Sequence, residues 1–219
     1  MSNEMRDTIV DAALNLAAEK PWGEITLVAI AEASGVSLAE LAQQVSGKTQ
    51  ILEIFARRID GQLLASLARD PVEGDAHDRL FDVMLRRFEL LAPYKQAIAN
   101  IAKAPAEGPA EWLHLLASLL TTQGWILAAA DIKLSGLTGD AAKLGLAKIA
   151  ADTLRIWLKD DDAGLARTMA ALDRKLRDGE ALMKRLETPI ALCSGFARVF
   201  RTLREERTSS KAQGHDTAD

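Results

Sequence analysis

The side chains best suited to recognising another molecule lie between residues 26 and 52. Gln43 and Gln44 each carry an amide that donates and accepts hydrogen bonds, so either could pair with the edge of an adenine base. Ser37 has a hydroxyl group that could also contact a base, Thr26 adds a second hydroxyl, and Lys48 offers a positive charge of the kind that contacts phosphate. These five residues are the candidate DNA contacts. The alternative for Ser37 and the two glutamines is that they are ordinary solvated side chains.

Two short predicted helices would position these side chains. Apolar residues recur at helical spacing in 26–34 and again in 37–45, with Gly35 between them. Gly35 suits the left-handed conformation that ends a helix, and Ser37 followed by Glu40 forms a capping box at the start of the next one. Two short helices joined by a glycine-containing turn predict a helix-turn-helix, whose second helix enters the DNA major groove.

The charge of this region argues against strong binding to DNA. Residues 1–60 contain five basic and nine acidic side chains, a net charge of −4. The predicted helix 37–45 has no Lys or Arg, and Glu40 points an acid toward any phosphate. Because Lys and Arg supply most nonspecific affinity for DNA, such a module must concentrate its few cations on one face.

Helical periodicity continues along the rest of the chain, and the alternation typical of β-strands is absent. Pro, Gly and charged residues at 69–75 predict a boundary. The expected organisation is a helix-turn-helix domain at 1–68, a larger helical domain at 75–207 and a disordered tail at 208–219. The other predicted helices are 3–20, 48–67, 76–91, 93–103, 109–131, 139–159, 162–186 and 189–207.

The larger predicted domain has two features that could bind partners. Helix 139–159 is rich in small residues, and with 162–186 it is the candidate homodimer interface, with packing inside one chain as the competing account. Aromatic side chains could line an apolar ligand pocket between helices, with simple core filling as the alternative. The six aromatic candidates are Phe81, Phe88, Tyr94, Trp112, Trp125 and Trp157.

Residues 189–207 predict an amphipathic helix, with Arg198, Arg201 and Arg204 opposite or beside its apolar arc. Such a helix can lie on an anionic membrane surface, or it can pack on its own domain with its arginines in solvent. In the first case the membrane-facing residues are Leu192, Phe196, Val199, Phe200 and Leu203.

No pattern of catalytic or metal-binding residues is present in the sequence. His77, His114 and His215 are scattered without partners at metal-ligand spacing, and no GxSxG or phosphate-binding glycine loop occurs. Cys193 is the only cysteine, which fits a reducing cytoplasm. No signal peptide is recognisable, and the longest unbroken apolar run, near 125–130, is far below the roughly 20 residues that cross a bilayer. We therefore expect a cytoplasmic protein that is not an enzyme and needs no cofactor or metal.

The amino-terminal pattern resembles the TetR family of transcriptional regulators over about residues 6–60. The resemblance implies an all-α, TetR-like fold with a three-helix helix-turn-helix domain and a larger ligand-binding and dimerisation domain. The family's recognition helix usually has aromatic residues at the positions held here by Ala42, Gln44 and Val45, so this chain departs from it there. The matching residues are Ile9, Ala12, Ala13, Leu14, Leu16, Ala17, Thr26, Leu27, Ile30, Ala31, Ala33, Gly35, Val36, Ser37, Leu41, Lys48, Ile51 and Leu52.

The second half is similar to the TetR-like, lipid-binding accessory family of ubiquinone biosynthesis. The similar segments are Arg87–Lys95, Trp125, Ala142–Asp160 and Thr168–Leu176. This resemblance implies an isoprenoid lipid ligand, no DNA binding and a terminal amphipathic helix at the membrane. The leading hypothesis from the sequence is a ligand-responsive DNA-binding regulator that is a dimer on a palindromic operator. The alternatives are this lipid-binding accessory protein and a dimeric interaction module without a ligand.

Overall fold

A computed structural model describes residues 2–105, 108–183 and 185, and within these ranges every regular element is a helix. The predicted all-α class is therefore confirmed. A helix of 18 residues leads into two short helices and a long one, and α2 and α3 pack against each other and against α1. These helices are α1 (Ser2–Glu19), a 3-10 turn (Trp22–Glu24), α2 (Leu27–Ser34), α3 (Leu38–Gln44) and α4 (Lys48–Arg69).

The remaining helices form the larger body. The helix α6 returns to pack along α1, whereas α7 packs against α4, α5 and α8. The long helices of the body are thus anchored to the amino-terminal helices at two places. These elements are α5 (Ala76–Leu91), a 3-10 turn (Ala92–Tyr94), α6 (Lys95–Lys103), α7 (Pro109–Ala129), α8 (Gly136–Trp157) and α9 (166–183).

The first of two apolar cores begins inside the helix-turn-helix and extends into the larger body. Ile9, Ile30 and Leu41 are buried in this core. Phe88 of α5 and Trp157 at the end of α8 belong to the same cluster, and the centroids of their rings are 5.7 Å apart. The break at 69–75 therefore separates two helices, α4 and α5, while the core continues across it.

The second core lies farther along α4 and holds the long helices together. Leu63 of α4, Met84 of α5 and Ile126 of α7 are buried there beside Leu146 of α8 and Leu172 of α9. Each of these residues lies on the inward face of its helix, so the hydrophobic effect favours closing the five helices around one apolar centre.

Two predicted helix starts differ from the structure by three residues or more. The helix α8 begins at Gly136, which has a φ of 61°, three residues before the predicted start, because the Gly139 N–H donates to the Ser135 carbonyl oxygen and closes the first turn. The helix α9 begins at 166 rather than 162, because the Asp162 carboxylate accepts hydrogen bonds from the backbone of Gly164 and Ala166 and so caps the helix. The predicted helix 189–207 and tail 208–219 lie outside the described residues.

Candidate functional site

The turn between α2 and α3 has the geometry that its sequence predicts. Gly35 has a φ of 68°, and its N–H donates to the carbonyl oxygens of Ala31 and Glu32. Thr26 caps α2 by accepting a hydrogen bond on its hydroxyl oxygen from the Ala29 N–H, at 3.1 Å. Because a Cβ disfavours this left-handed conformation, glycine is the residue suited to end α2 here.

Ser37 and Glu40 close the predicted capping box at the start of α3. The Ser37 hydroxyl oxygen accepts from the Glu40 N–H at 3.2 Å, and Glu40 Oε2 accepts from the Ser37 N–H at 2.8 Å. The hydrogen bonds from the Ser37 hydroxyl and N–H hold the pKa of Glu40 below its usual value. The exposed start of α3 therefore carries an ionised carboxylate, and the Ser37 hydroxyl is already engaged.

The outer face of α3 is apolar and acidic. Leu38 is 51% exposed, Gln43 is exposed and Gln44 is half-buried, whereas Leu41 faces the core. None of the residues 37–45 is a Lys or Arg. This surface, which we call the α3 face, consists of Leu38, Ala39, Glu40, Ala42 and Gln43.

Lys48, the predicted phosphate contact, lies at the first position of α4 against the 3-10 turn. Its Nζ donates to the Trp22 carbonyl oxygen at 3.3 Å and lies 5.4 Å from the centroid of the Trp22 ring. The ammonium group is thus held by a hydrogen bond and a cation–π contact within the domain. A phosphate at this position would compete with these contacts.

The structure does not bring the six predicted pocket residues together. Phe88 and Trp157 pack in the first core, and Tyr94 makes an edge contact with Phe55 at 5.0 Å beside it. Phe81 packs against the second core. The other two, Trp112 and Trp125, lie on α7, where they are 56% and 51% exposed.

An open cleft of about 530 Å³ lies where α5 ends and α9 begins. Trp157, Leu165 and Met169 contribute apolar walls, and the acids Asp161 and Asp162 lie at its edge. The Lys95 Nζ, also in this cleft, donates to the Asp160 carbonyl oxygen at 2.6 Å and lies 5.5 Å from the Trp157 ring centroid. The cleft therefore already holds a cation of the protein itself.

The helix α7 is unusually apolar for a helix with so much exposed surface. By length and composition alone it could cross a membrane, and only 22% of its most apolar stretch is buried. Polar residues interrupt this stretch, so a search for unbroken apolar runs in the sequence does not reveal it. Together with Trp112 and Trp125, Leu113 is 59% exposed, which makes α7 the most prominent apolar surface among the described helices.

The predicted dimer region, 139–186, is described as far as Met183 and at Arg185. Leu146 and Ala147 of α8 face the core, whereas Leu144 is 53% exposed and Gly145 is also exposed. One side of α8 thus presents apolar atoms to solvent. The predicted membrane-facing residues, from Leu192 to Leu203, lie outside the described part of the chain.

Two clusters of polar side chains in the structure were not predicted from the sequence. The Asp60 carboxylate is buried and accepts hydrogen bonds from Arg87 Nε at 3.1 Å and from the Thr122 hydroxyl at 2.7 Å. His77 lies between the carboxylates of Asp173 and Glu180. Their partners are distant in sequence, so no local spacing could reveal them. Within the described residues, no group of three or more His, Cys, Asp or Glu could hold a metal ion.

Comparison with known proteins gives one sequence relative and several structural ones. The ubiquinone biosynthesis protein COQ9, mitochondrial, of Drosophila melanogaster is 26% identical over 205 residues, which are 90% of this chain and 61% of that protein. The chain thus spans less than two thirds of that relative's length. No family model matches the sequence.

The similar solved structures are transcriptional regulators of the TetR type. The TetR transcriptional regulator from Nitrosomonas europaea ATCC 19718 has a TM-score of 0.64 and 24% identity, covering 81% of this chain and 98% of that one. A TetR transcriptional regulator from Rhodococcus sp. RHA1 has a TM-score of 0.60 and 16% identity, covering 82% and 97%. Both resemblances found in the sequence are confirmed: the chain has the TetR fold and is similar in sequence to a protein of ubiquinone biosynthesis.

Proposed function

We propose that this protein is an accessory protein of ubiquinone biosynthesis that binds an apolar, isoprenoid-type lipid and does not bind DNA. In this proposal the helix-turn-helix is kept as part of the fold, because its core is shared with α5 and α8. The expected compartment is the cytoplasm, because a single cysteine, Cys193, fits a reducing environment. No catalytic role is proposed for any residue.

The observation that carries the proposal is the composition of the α3 face. A recognition helix lies in the major groove within a few ångströms of two phosphate backbones, where cations give most of the affinity. Here the α3 face presents Leu38 and the ionised carboxylate of Glu40, and the nearby Lys48 is held against Trp22. Such a surface repels a polyanion and favours an apolar contact.

The exposed apolar surface of α7 supports the lipid part of the proposal. Isolated exposed apolar side chains are ordinary, but Trp112, Leu113 and Trp125 are all more than half exposed on one helix. A cluster of this kind marks a site for an apolar ligand, a protein or a membrane. Aromatic rings give an isoprenoid chain flat surfaces to lie against, without polar groups that would be left unpaired.

Native mass spectrometry of the purified full chain tests the lipid. We expect a copurified or added polyprenylated benzoquinone to bind the wild type, and Leu113→Asp to weaken that binding roughly tenfold, because a carboxylate enters the apolar site. The matched control is Leu38→Asp, which places the same charge at another leucine that is more than half exposed, on the α3 face. Equal binding by wild type and Leu113→Asp would contradict the proposed site.

A second candidate is the ligand-responsive DNA-binding regulator, and it is favoured by the well-formed Gly35 turn and by the TetR regulators of similar structure. In that case the base contacts would come from Ser37, Gln43 and Gln44, with Thr26 and Lys48 at the DNA backbone. A salt titration of duplex binding separates the two candidates. The regulator would show log affinity falling steeply with log salt concentration, whereas the lipid-binding protein would bind weakly at every salt concentration.

A further inference from the structure

Two neighbouring rows of α7 form a continuous apolar strip on the outside of the molecule. Residues four apart lie next to each other along a helix, so Trp112 and Leu116 make one row and Leu113, Ala117, Thr121 and Trp125 make the next. Leu116 is half-buried and the other five are exposed. We call these six residues the α7 surface. It extends over about 20 Å from Trp112 to Trp125 at the usual rise of an α-helix.

The chain leaves the described part of the protein beside one end of this surface. The last residues of α7 meet the first turn of α5, where Arg79 Nε donates to the Ala130 carbonyl oxygen at 2.8 Å. The end of α9 meets the same turn, since His77 Nδ1 is 2.8 Å from Glu180 Oε1. Residues 186–219 therefore begin near the Trp125 end of the α7 surface.

We propose that residues 189–207 of the same chain pack on the α7 surface in the free protein. As a helix, their apolar arc from Leu192 to Leu203 would measure about 17 Å, close to the length of the α7 surface. Residues 186–191 leave room for the chain to turn back from α9 onto α7. The arc contains two phenylalanines and three aliphatic side chains, which match two tryptophans and the leucines of α7.

The place where the segment begins sets the direction of this packing. Because it begins near the Trp125 end, the segment would run antiparallel to α7, which brings its arginines at 201 and 204 to the start of α7. Glu111 lies there in the first turn of α7, and Glu53 of α4 is close by, 3.7 Å from His114 Nδ1. The arginines would therefore lie near two carboxylates.

Fluorescence quenching of the full chain by acrylamide tests this packing, because the four tryptophans fall into two classes. Trp22 and Trp157 are 5% and 1% exposed whatever the segment does, so only Trp112 and Trp125 report on it. In the wild type we expect these two to be protected. In the variant Phe196→Ser with Phe200→Ser, which removes the apolar anchors without touching α7, the quenching constant should rise about twofold and the emission should shift to the red.

The control variant, Ser194→Ala with Glu205→Gln, changes the opposite side of the segment and should leave the quenching unchanged. Equal quenching of wild type and the phenylalanine variant would overturn the proposal. Protection that disappears on dilution would also overturn it, because the cover would then come from a second copy. Protection that appears only with phosphatidylglycerol vesicles would assign the segment to a bilayer instead. None of these results requires the lipid of the proposed function, so the two proposals can fail separately.

Discussion

The Asp60 carboxylate lies at the point where α4, α5 and α7 meet in the larger body. Its two oxygens accept hydrogen bonds from Arg87 Nε and the Thr122 hydroxyl, and its side chain is 8% exposed. A buried ion pair adds little net stability compared with apolar side chains, but removing one partner leaves a buried charge uncompensated and is strongly destabilising. From sequence Asp60 looks like one more polar position of α4, because its partners are separated from it by 27 and 62 residues.

His77 is a second residue whose role depends on distant partners. Its Nδ1 is 2.8 Å from Glu180 Oε1 and its Nε2 is 3.0 Å from Asp173 Oδ1. Carboxylate oxygens only accept hydrogen bonds, so both ring nitrogens must donate, which requires the protonated imidazole. Partial burial lowers the pKa of His77, but the hydrogen bonds to Glu180 and Asp173 outweigh it and the resulting pKa is raised, although Arg177 opposes them.

We predict that the stabilising effect of His77 depends on pH. Because its pKa is raised in the folded state, its contribution is fully present below the unfolded value of 6.5 and is lost as pH rises through the folded pKa. His77→Gln should therefore lower the free energy of unfolding near pH 5.5 and lower it much less near pH 9. The loss near pH 5.5 should be only roughly 1 kcal/mol, because the partner carboxylates are partly solvated. Urea unfolding measures this. His114→Gln is the control and should change the free energy of unfolding little, because this side chain is 72% exposed.

The α2–α3 turn depends on one backbone conformation. Gly35 has a positive φ, whereas Gly61, in the middle of α4, is helical with nothing within 4 Å of where a Cβ would be. We predict opposite effects of the same substitution. Gly35→Ala should lower the free energy of unfolding by about 1 kcal/mol, because alanine is strained in the left-handed region. Gly61→Ala should raise it by up to about 1 kcal/mol, because alanine favours the helix.

Thermal and urea unfolding of both variants check this pair. If Gly35→Ala proved as stable as the wild type, the turn could not require the left-handed conformation that ends α2. Circular dichroism at low temperature would confirm that both variants keep their helices before the stabilities are compared.

The elements that the sequence predicted best are those whose ends carry specific capping residues. Thr26, Gly35 and Ser37 fix the ends of α2 and α3, and the predicted and observed bounds differ there by at most one residue. The predicted start of α8 was wrong because glycine usually interrupts a helix, whereas α8 begins at Gly136 and includes Gly139. The six aromatic candidates do not form one pocket. Helical spacing shows which residues share a face of a helix, but it does not show which other helix that face will contact.

The first core connects the helix-turn-helix to the larger body. Trp157, at the end of α8, is 1% exposed in the same cluster as Ile9 of α1 and Leu41 of α3. The helix α6 packs on α1 from the other direction. Interiors are close-packed, so a ligand that moved α8 would also shift the helix-turn-helix. In a regulator, this coupling would transmit ligand binding to the helix-turn-helix. In a lipid-binding protein, the amino-terminal helices would instead stabilise the larger body.

Residues 139–186 are predicted to form the interface of a homodimer. Leu137 and Leu144 of α8 are 67% and 53% exposed, Leu182 of α9 is 57% exposed, and Gly145 has open space where a Cβ would be. A symmetric pairing of these helices would bury all three leucines and allow close contact at Gly145.

We expect a dimer in sedimentation equilibrium, with Leu144→Glu weakening it roughly tenfold or more because two carboxylates would be buried in the interface. Leu38→Glu, at an equally exposed leucine of the α3 face, should leave the dimer intact. If both variants sediment like the wild type, α8 does not form the interface. A dimer lost only in Leu38→Glu would place the contact on the helix-turn-helix instead, where it would cover the surface that a DNA-binding protein must leave free.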